Sequence, residues 1–479
     1  MRNSKVFSML VASALVTTVA AAGSAQAAAK PVKPSQTVAP AKTTAKFKVL
    51  NSNVQVDGQN SIVKTIQVGT EKLYAVRDLA DAVSAGIQLG KGDIQLTDSH
   101  GYHTVSIRPN VKTLQVDGAS QDYTTAPKVQ DGVVYVELEA TINALGAELT
   151  STGIYSQQRL EGDFSSPSFN DQGQVIVTKN DGDALQVFAL NAALGTPNQI
   201  LTSNESAAGA AISPDRKWGA FANESGQLFV YDLANGLAKQ VGADSSTKTD
   251  LIWSADGKKI YFIQGDKQEK ISYITVEDGK ITELLADKVE NKSDLQVDAT
   301  DKKIAYLVNV TGVAKNDADS TEDSLTIDYT GAGAQVYSLD TVTKGAKPVQ
   351  LTKTTDNKLL PSFLSDGSLV YVSADPDDKA GIGSLKNISV DGTKTTDLVK
   401  DIDVTLDVVT REGKLIVAGI KADGKTGVFE VSATGTKTEL YNTADDVSEV
   451  AVSKDGKLVL ISGGKVVIVQ GNKGIELTK

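Results

Sequence analysis

From about residue 160 to the C-terminus, short apolar runs alternate with turns rich in Asp, Gly, Asn and Lys. One unit recurs: an apolar run, a turn on Asp, Asn or Glu with Gly or Lys, and a second apolar run. The clearest copies are Ile212-Ser213-Pro214-Asp215-Arg216-Lys217, Trp253-Ser254-Ala255-Asp256-Gly257-Lys258 and Val452-Ser453-Lys454-Asp455-Gly456-Lys457. Looser copies centre on Asp171, Asp301, Asp366 and Glu412. The seven anchors stand 44, 41, 45, 65, 46 and 43 residues apart. Five of these six intervals lie near the roughly 40–45 residues of a four-stranded propeller blade. In the third unit, Leu251–Ser254, Lys259–Gln264, Lys270–Val276 and Ile281–Leu285 read as strands A to D. Asp256-Gly257 supplies the positive φ angles of a tight A–B hairpin. A single blade cannot bury both faces, so neighbouring blades must stack. The expected fold is mainly β: a β-propeller over residues 153–479, preceded by a small α+β domain. It has seven blades, or six if the degenerate first unit, Ser168–Gly173, is only a connecting strand.

The Trp-Ser-Ala-Asp-Gly-Lys run at 253–258 and Ile212-Ser213-Pro214-Asp215 resemble the repeat of TolB-like (WD-repeat-like) propellers. That repeat carries Trp-Ser-Pro-Asp-Gly-Lys entering an apolar strand. The resemblance spans about residues 160–479 and implies a fold; propellers of this kind serve many functions.

Residues 47–152 contain two related halves. Val56-Asp57-Gly58 recurs as Val116-Asp117-Gly118, and Leu73–Gly86 recurs as Val134–Gly146. Each half predicts strands and then a helix, with Leu138, Ile142 and Leu145 on one helical face and Gly146 closing it. Val76, Leu79, Ala80 and Val83 form the matching face before Gly86. Tyr135-Val136-Glu137-Leu138-Glu139 with Ala144-Leu145-Gly146-Ala147, and Tyr74–Ala80, resemble the copper amine oxidase N-terminal-like domain of secreted Gram-positive proteins. Glu137 and Glu139 replace that family's Pro and Arg. The resemblance does not bring the oxidase with it, because the chain has two His in total and no Asn-Tyr-Asp or Asn-Tyr-Glu.

Residues 1–27 read as a secretory signal peptide: Arg2 and Lys5, the apolar stretch Val6–Ala22, then Ala25-Gln26-Ala27. Residues 28–46, with Pro31, Pro34, Pro40 and several Lys, read as a semi-extended linker. The protein is therefore expected to be secreted or cell-wall associated, without stable membrane insertion. A net charge of −11 and no basic patch argue against nucleic acid as a partner. The chain has no cysteine, so disulfide and thiol chemistry are absent.

Candidate chemistry is sparse. His100 and His103, with Asp98, offer two imidazoles and a carboxylate on one hairpin, which reads as a solvated turn rather than a tight copper site. No Gly-x-Ser-x-Gly elbow is present and no His follows His103, which excludes a serine hydrolase of that design. Two acidic segments have the oxygen density calcium prefers. They give Asp317, Asp319, Asp323, Asp375, Asp377 and Asp378 as candidate calcium ligands, with Glu322 and Asp328 nearby. They fall in two enlarged B–C loops, Thr311–Gly333 and Ala374–Ser384, on the face opposite the A–B turns. No other cofactor is expected. The reading that follows is a secreted, non-enzymatic binding or scaffold protein of the cell envelope. Its partner would be an envelope protein or a cell-wall polymer, met through one propeller face. The alternative is a propeller hydrolase or lyase acting through carboxylates on an envelope polysaccharide or lactone; a Tol-type accessory is a third. A proteolytically accessible connection is expected near residues 150–162.

Overall fold

A computed structural model of the chain describes residues 46–99, 101–182, 184–191, 198–316, 325–328, 332–375 and 382–479. The signal and linker segments lie outside the described residues.

The N-terminal part runs β1 (Leu50–Val56), β2 (Gln59–Val68), β3 (Glu71–Ala75), α1 (Val76–Ala82), β4 (Gly86–Leu89), β5 (Ile94–Thr97) and β6 (Thr104–Ile107). It continues β7 (Thr113–Val116), β8 (Ala119–Asp122), β9 (Lys128–Gln130), β10 (Val133–Glu137), α2 (Leu138–Ala144), β11 (Glu148–Thr150) and β12 (Gly153–Tyr155). One sheet has the order β11-β12-β1-β2-β3-β10-β9, and β4 to β8 form a second, consecutive one. The internal repeat explains the layout. Asp57-Gly58 and Asp117-Gly118 both take two positive φ angles, +49° and +76°, +51° and +85°. Those are the angles of a type I′ hairpin, which matches strand twist. The helix-entering strands of the two halves, β3 and β10, pair with each other, Tyr74 opposite Val136. Both helices pack their apolar faces into one core with Leu96, Val105 and Leu114. Gly146 closes α2 at φ +69°. For α1 the left-handed position falls on Ser84 (φ +55°), not Gly86, which instead begins β4. Gly153–Tyr155 pairs with β1 and β11, so the N-terminal sheet extends past residue 152 to Tyr155.

Seven four-stranded antiparallel sheets follow, each from consecutive blade strands. Their first strands, A, are Asp163–Phe169, Ala211–Ile212, Lys248–Trp253, Lys292–Val297, Asn357–Phe363, Asp403–Val409 and Val447–Val452. Blade 1 is complete, with strands B to D at Val175–Asn180, Leu185–Leu190 and Gln199–Thr202, so the degenerate unit is a real blade. The long interval falls in blade 4, where a separate hairpin, Val313–Asn316 with Leu325–Asp328, sits between strands B (Lys303–Val310) and C (Gly333–Asp340).

Seven apolar clusters join the blades pairwise. Ile176, Phe221 and Tyr231 join blades 1 and 2; Val230, Trp253 and Phe262 join blades 2 and 3. The series continues round the ring to Phe169, Val175, Val459 and Ile468 between blades 1 and 7. Each strand B is almost wholly buried because it faces a neighbour on both sides, which is why these runs lose their alternation. Among the described residues, no strand from elsewhere completes blade 7. The ring closes through its apolar cluster, a parallel bridge from Leu160 to Thr478, and the Lys479 amide donating to the Leu160 carbonyl at 2.9 Å.

Candidate functional site

The A–B turns are built by side chains as much as by glycine. In blade 3 the Gly257 amide donates to the Ser254 carbonyl, and Gly257 alone takes positive φ (+70°). Asp256 does not share that conformation as the hairpin reading required. Its Oδ1 instead accepts from Ser254 Oγ at 2.7 Å and from the Lys258 amide at 3.0 Å. Ser254 Oγ in turn accepts from the Lys259 amide at 2.9 Å. Ser213 with Asp215 repeats this closed network, and Ser453 keeps its two serine bonds, donating to Asp455 and accepting from the Lys457 amide. Asn170, Asp298 and Thr410 fill the serine's position in blades 1, 4 and 6. A turn of this kind satisfies the amides that enter strand B.

All seven A–B turns border one axial funnel of about 1240 Å³. Two arginines reach over it. Arg216 stands where blades 1, 3, 5, 6 and 7 carry Gly173, Gly257, Gly367, Gly413 and Gly456, and it adopts their left-handed conformation (φ +62°). Such a conformation costs a side-chain-bearing residue about 1–2 kcal/mol. Its Nη2 donates to the Val452 carbonyl of blade 7 at 2.9 Å, passing blade 1. Arg411 of blade 6 donates from Nη2 to the Ile212 carbonyl of blade 2 at 2.6 Å. Desolvation lowers both guanidinium pKa values, and the charge of Arg216 lowers that of Arg411 further. Glu412 opposes this at both residues, Asp455 at Arg216 and Asp215 at Arg411. Among the described residues the arginine ion pairs within 4 Å are all those of Arg159. Both groups stay charged, since no such shift deprotonates a guanidinium near neutral pH.

The funnel lining mixes Asp171, Asp215, Asp298, Glu412 and Asp455 with the two arginines, Lys454 and Lys457, and the strands A behind it carry further acids. Strand A carries a bulge in six blades, and in blades 1, 3, 4 and 5 the bulge residue is left-handed: Ser166, Asp250, Asp294 and Leu360. A bulge re-aims side chains relative to the pleat. Crowding and the nearby Asp294 charge raise the Asp250 pKa, although water still reaches its carboxyl. Burial raises Glu449, whose Oε2 accepts from the Ser166 amide at 2.8 Å. Asp407 in blade 6 is enclosed. Neither carboxyl oxygen has a hydrogen-bond partner in good geometry, and burial pushes its pKa up to about 8, with the nearby Ser362 hydroxyl opposing weakly.

Of the candidate calcium ligands, Asp317, Asp319, Asp323, Asp377 and Asp378 lie outside the described residues, as does Glu322. Asp375 follows strand B of blade 5, Leu369–Ala374. Among the described residues no group of three or more His, Asp or Glu is placed to hold a metal ion. His103 hydrogen-bonds through Nδ1 to Asp117 Oδ2 at 2.8 Å, which with the Thr104 amide holds Asp117 below the usual carboxylate range. His100 lies outside the described residues. Trp253 donates from Nε1 to the Ala211 carbonyl at 2.9 Å and packs between blades 2 and 3, as core. The sequence reading missed Arg216 and Arg411. For Arg216 the signal was present, an Arg in the column where five aligned turns carry Gly; Arg411 stands two positions earlier in its turn, where no such contrast marks it.

No family model matches the chain, and no curated protein matches it. Among solved structures, it is similar to an oligogalacturonate lyase in complex with manganese (11% identity, 67% of this chain and 86% of that one, TM-score 0.46). It is also similar to the β-propeller domain of the Trilobed protease from Pyrococcus furiosus, described as having an open velcro topology (16%, 66% and 98%, TM-score 0.45). A third is the putative TolB from Agrobacterium tumefaciens (15%, 51% and 84%, TM-score 0.37). These proteins share a fold class across different activities, and no activity transfers on that ground. The class the fold defines is a seven-bladed β-propeller carrying a small N-terminal α+β domain.

Proposed function

We propose that this protein is a non-enzymatic binding module of the cell envelope whose ligand enters the axial funnel on the A–B face. The observation that supports this is the funnel itself: one concave site of about 1240 Å³ to which every blade contributes its turn. Rigid scaffolds that converge loops on one cavity are suited to holding a ligand. The site shifts from the B–C face, where the acidic loops pointed, to the opposite one. The reading of residues 1–27 as a secretory signal would put envelope proteins and cell-wall polymers within reach. The N-terminal domain, with its resemblance to copper amine oxidase N-terminal-like domains, is read as a scaffold.

Ser365 lies exposed on the funnel wall, so Ser365→Trp would obstruct it with little demand on the core. The parent protein should co-sediment with an envelope fraction and the variant should not, with no sugar or peptide released by either. Equal sedimentation of the two would remove the funnel from the account. The second reading, a hydrolase or lyase, draws on Asp250, whose pKa is raised by burial and then by the Asp294 charge, as a proton donor. Released product that disappears in Asp250→Asn would favour it.

A further inference from the structure

We infer that Arg216 and Arg411 form a clamp for an oxyanionic group, carboxylate or phosphate, borne by the ligand that enters the funnel. The inference rests on the funnel reading and names the chemistry of its occupant. Three independent features converge on it. Arg216 occupies a backbone position that five other blades give to glycine, so nothing in the turn asks for a long side chain there. Its presence adds strain to the turn and places a charge over the axis, and strain of this sort gathers at ligand clamps.

The second feature is reach. From blades 2 and 6 the two guanidinium groups extend to carbonyls on blades 7 and 2, across the opening rather than along its wall. Each spends one described hydrogen bond on a carbonyl, while a guanidinium has five N–H donors in a planar fork that fits two oxygens at once. The third is electrostatic. The Arg216 charge disfavours that of Arg411, and both guanidinium groups are partly desolvated. Glu412, Asp215 and Asp455 act on them from beyond 4 Å without pairing. An incoming oxyanion would relieve the repulsion and restore the donors' partners together.

The test uses the full chain and two probes, inorganic phosphate and citrate, at ionic strength matched with sodium chloride. Melting is followed by fluorescence as each probe is titrated. At least one probe should raise Tm saturably, and the shift should shrink as chloride is raised. Phosphate alone acting would identify a phosphate-bearing ligand, and citrate alone a carboxylate-bearing one. Arg216→Gly is the informative variant because it suits the backbone: in chloride its Tm should equal or exceed the parent's. Its affinity for the probe should fall about tenfold or more, as loss of a charge-assisted hydrogen bond implies. Arg411→Gln should lose the shift likewise. No shift with either probe, or an undiminished shift in both variants, overturns the clamp. If Ser365→Trp abolishes envelope sedimentation while both arginine variants sediment like the parent, the clamp fails and the funnel reading stands.

Discussion

Asp407 shows how one residue can set a pH dependence for the whole fold. Its pKa is about 8 in the folded chain and near 4 in an unfolded one. Between those values the native state holds a proton that the unfolded state has released. Stability therefore falls as pH rises from about 4 to about 8, by up to about 1.4 kcal/mol per pH unit, and levels off above. Asp407→Asn removes that proton exchange. The Tm-against-pH curve of the variant should be flatter than the parent's over this window, and its advantage should be greatest at pH 8. Parallel curves would mean that water reaches the carboxyl. The turn serines give a second residue-scale expectation. Ser254 Oγ both donates to Asp256 and accepts from the Lys259 amide. Ser254→Ala should cost about 1 kcal/mol in urea unfolding, as for the loss of a capping hydroxyl.

At the scale of elements, strands B and C were legible because burial on both faces and alternation leave plain patterns. In blade 3, strand B, Lys259–Gln264, has the bounds read from sequence, and strand C, Lys270–Thr275, ends one residue before its reading. Strand A was not. In blade 3 it begins at Lys248, three residues before its apolar run, and the bulge at Asp250 breaks the alternation in between. Lys248 is itself part of a device that polarity alone conceals. Its ammonium is buried, donating to the carbonyls of Gly226, Asp244 and Ser246 and to Asp244 Oδ1 at 2.7 Å. Lys292, which begins strand A of blade 4, and Lys358, second in strand A of blade 5, are held in the same way. Each draws the preceding inter-blade loop around itself, so a lysine in an apparently exposed stretch is in fact a clip. Lys292→Met leaves the Glu269 and Val289 carbonyls without their donor and should destabilise by about 3 kcal/mol. Denaturant unfolding measures this, and a loss below about 0.5 kcal/mol would place the clip among ordinary surface contacts. The site arginines escaped the reading for a related reason. A turn was recognised by its apolar flanks and its acidic residue, so Arg216 passed unremarked inside one of the clearest copies, and Arg411 inside a looser one centred on Glu412.

Over the whole molecule, the connection between the N-terminal domain and the propeller is a joint rather than a tether. Arg159 donates to Glu148 from Nε and Nη2, to Glu476 Oε2 at 2.6 Å and to the Thr478 carbonyl, while lying over the Tyr155 ring. One side chain thus ties the N-terminal sheet to the last strand of blade 7, beside the Leu160–Thr478 bridge that closes the ring. The sequence suggested a cleavable segment near 150–162; its backbone is instead held by Asp57, Gly146 and Glu148. Limited proteolysis of the native protein should leave residues 153–162 intact. Arg159→Met should make them susceptible and lower Tm. The central claim is that ligand is held at the A–B mouth of the funnel. Hydrogen–deuterium exchange of the full chain, with and without a saturating envelope fraction, tests it most directly. Ligand should slow exchange at 213–218 and 410–414, the turns that carry Arg216 and Arg411. Protection confined to 310–333 and 374–384, the sequence between strands B and C of blades 4 and 5, would contradict it.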